Sequence, residues 1–134
     1  MRILLVALNA SYVHTNLAIR YLREVLKEQG NPEWEVLCRE FTINERLETI
    51  AAAIFEEQPD ILGFSCYIWN ISLVSALIRR LRPVLPKTFF LAGGPEVWFE
   101  SEELLLKNSE WDGIIVGEAE YTLPKFVQAL ATGS

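Results

Sequence analysis

Phe89-Phe90-Leu91-Ala92-Gly93-Gly94-Pro95-Glu96 and Gly113-Ile114-Ile115-Val116-Gly117-Glu118-Ala119-Glu120 are short apolar runs, and each ends on a glycine-marked turn. A continuous apolar run bounded by turn residues is the pattern of a strand covered on both faces. If the two runs are neighbouring parallel strands, both turns fall at the carboxyl edge of one sheet, where open α/β folds bind their ligands. Glycine lets the backbone turn sharply there and lets another group approach closely, because no Cβ stands in the way.

Outward from these runs the chain alternates strand and helix. Ile3 to Leu8 is continuously apolar, as a central parallel strand requires, whereas Trp34 to Phe41 mixes apolar and charged residues and suits an edge. Ile61 to Cys66, Thr88 to Ala92 and Asp112 to Val116 supply the third, fourth and fifth strands. A first helix carries the stripe Leu17, Tyr21, Leu22, Val25 and Leu26, with Thr15 or Asn16 as N-cap and Gly30 then Pro32 closing it. Thr42 and Glu45 form a capping-box pattern ahead of Leu47, Ile50, Ala51, Ile54 and Phe55. Val74, Leu77, Ile78 and Leu81 make a third stripe, stopped by Pro83 and Pro86. A short helix is expected around Ser101 to Lys107, and a last one over about Thr122 to Ala131 with Pro124 near its first turn.

Five strands alternating with five helices predict an α/β fold: a doubly wound, Rossmann-like or flavodoxin-like five-stranded parallel sheet with helices on both faces. The order 2-1-3-4-5 centres the most apolar strands and leaves the polar second strand at an edge. With 134 residues and no repeats, low-complexity segments or linkers, residues 1–134 are expected to form a single domain.

A net charge of -6 argues against a nucleic-acid partner, because backbone-phosphate binding rests on clustered Lys and Arg. Two cysteines, Cys38 and Cys66, make no disulfide framework and no metal-binding pair, which fits a cytoplasmic setting. No apolar stretch approaches the ~20 residues of a membrane span, and no charged leader precedes the first strand, so a soluble protein is expected. Half of the residues are hydrophobic, enough to leave some surface for a partner.

In the predicted order, the cleft is lined by residues 9–16, 65–70, 93–99 and 117–121. The first loop has no glycine, so neither a dinucleotide fingerprint nor a phosphate cradle can be drawn through it. Lys and Arg are absent from all four loops while Glu96, Glu118 and Glu120 are present, which disfavours ATP, NAD and coenzyme A. Ser65-Cys66 stands where a phospho-receiver domain needs its acceptor aspartate. What remains is aromatic and hydrogen-bonding: Tyr12, Tyr67, Trp69, Trp98 and Tyr121 with Asn9, Ser11, Asn16, Ser65 and Asn70. Such a mixture suits a large, flat, nearly uncharged ligand with amides and hydroxyls at its rim, although aromatics at strand ends also serve as core caps or interface residues.

These residues resemble a family. Leu91-Ala92-Gly93-Gly94-Pro95 is similar to the "GGP" segment, and Asp112 to Glu120 to the "D-x-x-V-x-GE-x-E" segment, of the cobalamin-binding domain at the amino end of B12-dependent radical SAM enzymes. Leu62-Gly63-Phe64-Ser65 is similar to that family's third-strand ending, and the resemblance covers essentially the whole chain. It implies that cobalamin sits over the carboxyl edge of the sheet with its tail beside strands three and four. Ser65 would face that tail, and Gly93 and Gly94, followed by Pro95 and Glu96, would let it lie against bare backbone. Glu118 and Glu120, after Gly117, would accept hydrogen bonds from ribose or side-chain amides. The same glycines also suit a tight turn, and the same glutamates suit a helix N-terminus.

His14 is the only histidine and the candidate lower ligand to cobalt, as in the Asp-x-His-x-x-Gly motif of methionine-synthase-like cobalamin domains. Tyr12 stands where that motif has its orienting aspartate and Leu17 where it has glycine, and a metal-bound histidine normally keeps such a partner. A structural donor is the other reading of His14. For Cys66 a small buried residue is the commoner role, and Cys38 is read as structural.

The resemblance thus implies a module that positions a corrinoid for a C-terminal radical SAM domain of the parent chain, which would hold S-adenosylmethionine and a 4Fe-4S cluster. The cluster-binding three-cysteine motif is missing here, so the module alone is not expected to turn over substrate, and the end of the chain just past a helix is expected to mark an excised domain. The alternative is an interaction or small-molecule-binding module of the same fold without corrinoid. A small hydrolase lacks a nucleophile-base pair, since no carboxylate in the first loop orients His14.

Overall fold

The computed structural model describes residues 1–10, 17–67, 70–94, 110–115 and 119–133. Strands β1 (Arg2–Asn9), β2 (Glu35–Thr42), β3 (Ile61–Ser65), β4 (Phe89–Gly93) and β5 (Gly113–Ile114) form one sheet in the order β2-β1-β3-β4-β5, parallel at every pairing. The expected 2-1-3-4-5 topology is therefore the observed one. Helices α1 (Leu17–Gln29), α2 (Leu47–Glu57), α3 (Ile71–Leu81) and α4 (Ala119–Thr132) connect and cover the strands. The helix expected around Ser101 to Lys107 lies outside the described residues.

The alternation of side chains along a strand divides the core into two layers. On one face Leu4, Val6 and Leu8 of β1 join Leu62, Phe64 and Phe90 and pack against Ile50 and Ile54 of α2 and Val74, Leu77 and Ile78 of α3. On the other, Ile3, Leu5 and Ala7 join Ile61 and Leu91 and pack against Ile19 and Leu26 of α1 and Leu123 and Val127 of α4. β1 is buried at every position from Ile3 to Leu8, which a strand covered on both faces requires. β2 carries Arg39 and Glu40 at half-buried positions, as an edge strand can.

Three local expectations change. Tyr21 is 59% exposed and Phe55 is 42% exposed, so neither belongs to the core stripe of its helix. Ile19 takes the buried place in α1, because Ile19, Leu22 and Leu26 recur on the side that meets the sheet. The Glu45 carboxylate does accept the Thr42 N–H at 2.6 Å, but α2 begins only at Leu47 with Arg46 as N-cap. Thr42 instead ends β2, and its buried Oγ1 has no partner among the described residues. Pro124 lies inside α4 beyond its first turn, since the helix begins three residues earlier than expected.

At the amino edge of the sheet, Arg82 ties three segments together. Its guanidinium donates to Leu85 O at 2.7 Å, Thr88 O at 2.8 Å and Asp112 Oδ2 at 2.9 Å, and it lies 4.2 Å over the Phe90 ring. The same Asp112 oxygen accepts the Phe90 N–H at 2.8 Å. Pairing between β4 and β5 runs past the short β5, because Asp112 N–H reaches Phe90 O and Ile115 N–H reaches Ala92 O, both at 2.9 Å. Among the described residues no helix is long and apolar enough to cross a membrane.

Candidate functional site

Parallel register sets residues of equal height side by side, and on the face toward α1 and α4 it produces two rows. The row at the carboxyl edge is Ala7, Ser65 and Gly93, and the row beneath it is Leu5, Gly63 and Leu91. Small residues in the upper row and a glycine in the lower one leave the helices without side chains to meet. The result is a slot of about 360 Å³ between the sheet and the two helices, the size of a small ligand site. Gly63, Ser65, Gly93 and Gly94 line its sheet side, Tyr21 and Leu22 of α1 one wall, and Glu120 and Leu123 of α4 the other.

Of the residues expected from the sequence, Ser65, Tyr67, Gly93, Gly94 and Glu120 come together at this slot. Asn9 and Asn70 are engaged elsewhere. Asn9 Nδ2 donates to Glu40 Oε1 at 3.1 Å, and the other oxygen of Glu40 accepts from Arg20 at 2.8 Å. Asn70 is 1% exposed. Its Nδ2 donates to Leu8 O at 3.1 Å and Ser65 O at 3.0 Å, and its Oδ1 accepts the Tyr67 N–H at 2.8 Å. One amide thus joins the carboxyl ends of β1 and β3 and fixes the backbone that presents Tyr67 to the slot. Ser11, Tyr12, His14, Trp69, Pro95, Glu96, Gly117 and Glu118 lie outside the described residues.

The glycine doublet divides its labour. Gly94 has φ +106°, and a Cβ there would stand 2.5 Å from Cys66 O and 2.9 Å from Cys66 N. It has to be glycine for the sake of the fold, because Cys66 N–H donates to Gly93 O at 2.7 Å and draws the two backbones together. Gly93 is different: a Cβ there would meet nothing nearer than Ile115 O at 3.9 Å. Its bareness serves the slot rather than the chain.

The lining is nearly neutral. Glu120, in the first turn of α4, is its only charged side chain among the described residues, and no Lys or Arg is among them. A polyphosphate would find no complementary field here. The two cysteines form no disulfide and do not line the slot. Cys66 is fully buried, and Cys38 donates to Ile19 O at 3.3 Å while burial pushes its thiol up from the ordinary value.

Sequence reasoning did not assign Gly63, Tyr21, Leu22 or Leu123 to the site. For Gly63 a signal existed, since a glycine inside a strand commonly marks close approach by another group. Tyr21 and Leu22 read as ordinary core stripe, and only the register shows that part of the stripe faces a vacancy. Asp112, the first residue of the fifth-strand segment, proves to be a fastening at the opposite edge of the sheet.

Three comparisons set this geometry among known proteins. Over 75 residues, 56% of this chain and 11% of the relative, the sequence is 31% identical to the cobalamin-dependent radical SAM methyltransferase TokK of Streptomyces tokunonensis. The structure of the cobalamin-dependent S-adenosylmethionine radical enzyme OxsB, with aqua-cobalamin and S-adenosylmethionine bound, matches 98% of this chain and 19% of its own with a TM-score of 0.80 at 18% identity. A cobalamin-binding protein from Desulfitobacterium hafniense DCB-2 matches 95% of this chain and 57% of its own with a TM-score of 0.70 at 15% identity. At such identities the two structures show the fold alone, and the chain spans about a tenth of the length of the curated relative. The model of one family, the B12 binding domain, matches residues 3–127. By that match, which runs through every strand and helix that builds the slot, the chain belongs to the B12-binding domain family.

Proposed function

We propose that this chain is a cobalamin-binding module that holds a corrinoid for a radical SAM domain carried elsewhere in the same protein. The observation that carries the reading is the slot between the sheet and helices α1 and α4, floored by Gly63, Ser65 and Gly93 in a chain of the B12-binding domain family. The residues fit the group. A slot of about 360 Å³ accepts an appendage, not a macrocycle, so the corrin ring lies over the carboxyl edge while its nucleotide tail enters beside β3 and β4. Gly93 leaves room for the tail, and Ser65 and Glu120 stand where hydroxyl or amide groups of the ligand can be hydrogen-bonded. Pro95, Glu96, Gly117, Glu118 and the first-loop residues Ser11, Tyr12 and His14 complete the carboxyl edge in this reading, as does Trp69.

When bound, the corrinoid supplies the group-transfer chemistry, and the chain's part is to hold it, orient it and keep water from its tail. S-adenosylmethionine and a 4Fe-4S cluster belong to the other domain, and two cysteines without a disulfide accord with a cytoplasmic setting. The test is to mix purified chain with hydroxocobalamin, pass it through a desalting column and record the visible spectrum. Cobalt chromophore eluting with the protein supports the proposal. Elution of all the cobalamin in the small-molecule fraction rejects it in favour of a module without corrinoid.

A further inference from the structure

Strand β2 ends the sheet, and among the described residues no strand pairs with its outer side. Glu35 N–H donates to Met1 O and Ile43 N–H to Asn9 O, both at 2.9 Å. Odd-numbered residues of this stretch therefore turn their backbone groups toward β1, and even-numbered ones turn theirs outward. At the carboxyl end the outward side is closed, because the Thr42 N–H is held by the Glu45 carboxylate at 2.6 Å. Val36 and Cys38 turn outward with no backbone partner on that side among the described residues. Open edges are commonly blunted by proline, a bulge or short length. β2 has eight residues, no proline and an unbroken register against β1.

We infer that this flank pairs with the same flank of a second copy, the two β2 strands running antiparallel about a two-fold axis at Leu37. The inference is independent of what the slot holds. Outward residues must meet outward residues, so even-numbered positions form the hydrogen-bonded pairs and odd-numbered ones the closer pairs between them. With Val36 opposite Cys38, Glu35 faces the second copy's Arg39, Arg39 faces its Glu35, and Leu37 meets its own twin on the axis. Every other register is worse. Val36 opposite itself sets Glu35 against Leu37, Cys38 opposite itself sets Arg39 against Leu37, and Cys38 opposite Glu40 sets Arg39 against Arg39. Opposite charges across such a pair stabilise it and like charges destabilise it. Both side chains reach solvent, Glu35 at 52% exposure beside Arg2 and Arg39 at 42%, where it meets Glu57 only at 3.4 Å. Leu37 is half-buried within one chain, and its twin supplies the missing apolar neighbour. The pairing closes on itself, because each copy spends its one β2 edge, so it stops at two copies.

The experiment is sedimentation equilibrium of the purified chain from about 1 μM to about 1 mM, with a rise to twice the monomer mass expected across that range. A chain that stays monomeric throughout overturns the inference and leaves the flank to another occupant. Glu35→Arg and Arg39→Glu each place like charges opposite one another twice, and each is expected to raise the dissociation constant at least about tenfold. An equimolar mixture of the two variants is expected to dimerise again, because every cross-strand pair is then of opposite sign. Variants that dimerise as the parent does, or a mixture no more dimeric than its components, overturn the register. Leu37→Cys puts two thiols face to face on the axis, and with oxidised glutathione as oxidant it is expected to give a covalent dimer on a non-reducing gel. The parent chain, which keeps Cys38 and Cys66, is the control. Crosslinking no faster than in the parent overturns the placement of the axis.

Discussion

Replacing each glycine of the doublet by alanine separates what the fold needs from what the ligand needs. At Gly94 the added methyl must leave a backbone with φ +106° and a position 2.5 Å from the Cys66 carbonyl oxygen, and the atoms in its way belong to backbone on β3's end. An L-residue held in such a conformation costs about 1–3 kcal/mol, and forcing a methyl into occupied space adds about 1–3 kcal/mol. Gly94→Ala is therefore expected to lose about 2–6 kcal/mol of a total near 5–15 kcal/mol, visible as a lower urea midpoint and a fall in Tm of about 7–21 °C. At Gly93 the methyl meets only ordinary contacts at 3.9 and 4.0 Å, so Gly93→Ala is expected to stay within about 1 kcal/mol of the parent. That methyl nevertheless stands in the slot, and one misplaced carbon in a fitted pocket weakens binding by about tenfold or more. Urea unfolding and cobalamin titration on both variants decide the matter. If Gly94→Ala is no less stable than Gly93→Ala, the close-approach argument is wrong. If Gly93→Ala binds cobalamin as the parent does, the slot does not receive the ligand.

Arg82→Ala removes the donor to Leu85 O, Thr88 O and Asp112 Oδ2 at once, leaving two part-buried carbonyls and a more exposed carboxylate without it, and a loss of about 2–4 kcal/mol by urea unfolding is expected. A loss below about 0.5 kcal/mol, the level of an ordinary surface change, would show that water replaces it. His14→Ala is expected to retain cobalamin with an unchanged visible spectrum, because Tyr12 and Leu17 occupy the positions from which an imidazole ligand would be oriented and given room. A shifted cobalt spectrum would instead assign His14 as the lower ligand. Since burial holds the Cys38 thiol protonated, its contribution to stability is complete below the ordinary thiol value of 9.0 and is lost as pH rises beyond it. At pH 8 a thiol reagent should therefore modify Cys38 slowly and Cys66 only on unfolding, and rapid native labelling of either would contradict their placement.

The architecture was legible because burial on both faces leaves an unmistakable trace. Ile3 to Leu8 and Ile61 to Phe64 carry no polar residue, and the charged Arg39 and Glu40 mark the edge strand, so the order of the sheet follows from pattern alone. The site was legible only in part. Ser65, Gly93 and Glu120 sit at strand or helix ends, where sequence position implies place, and the slot contains them. Tyr21 and Phe55 fall at helical spacing yet are exposed, Tyr21 at the wall of the slot, so spacing alone did not separate them from the core. Asn70 could not be separated from a ligand contact by its type, since the same amide that could serve a ligand is used to join Leu8, Ser65 and Tyr67. Nor could the doublet be divided from sequence, as only the distance to Cys66 distinguishes one glycine from the other.

The Arg82–Asp112 fastening lies at the end of the sheet remote from the slot, and this separation makes the domain easy to re-engineer. A library that varies Ser65, Tyr67 and Glu120 to accept unfamiliar cobamides leaves the distant clamp whole, so most of its members should still express as folded protein. Tolerance of diversity at one rim is underwritten by rigidity at the other.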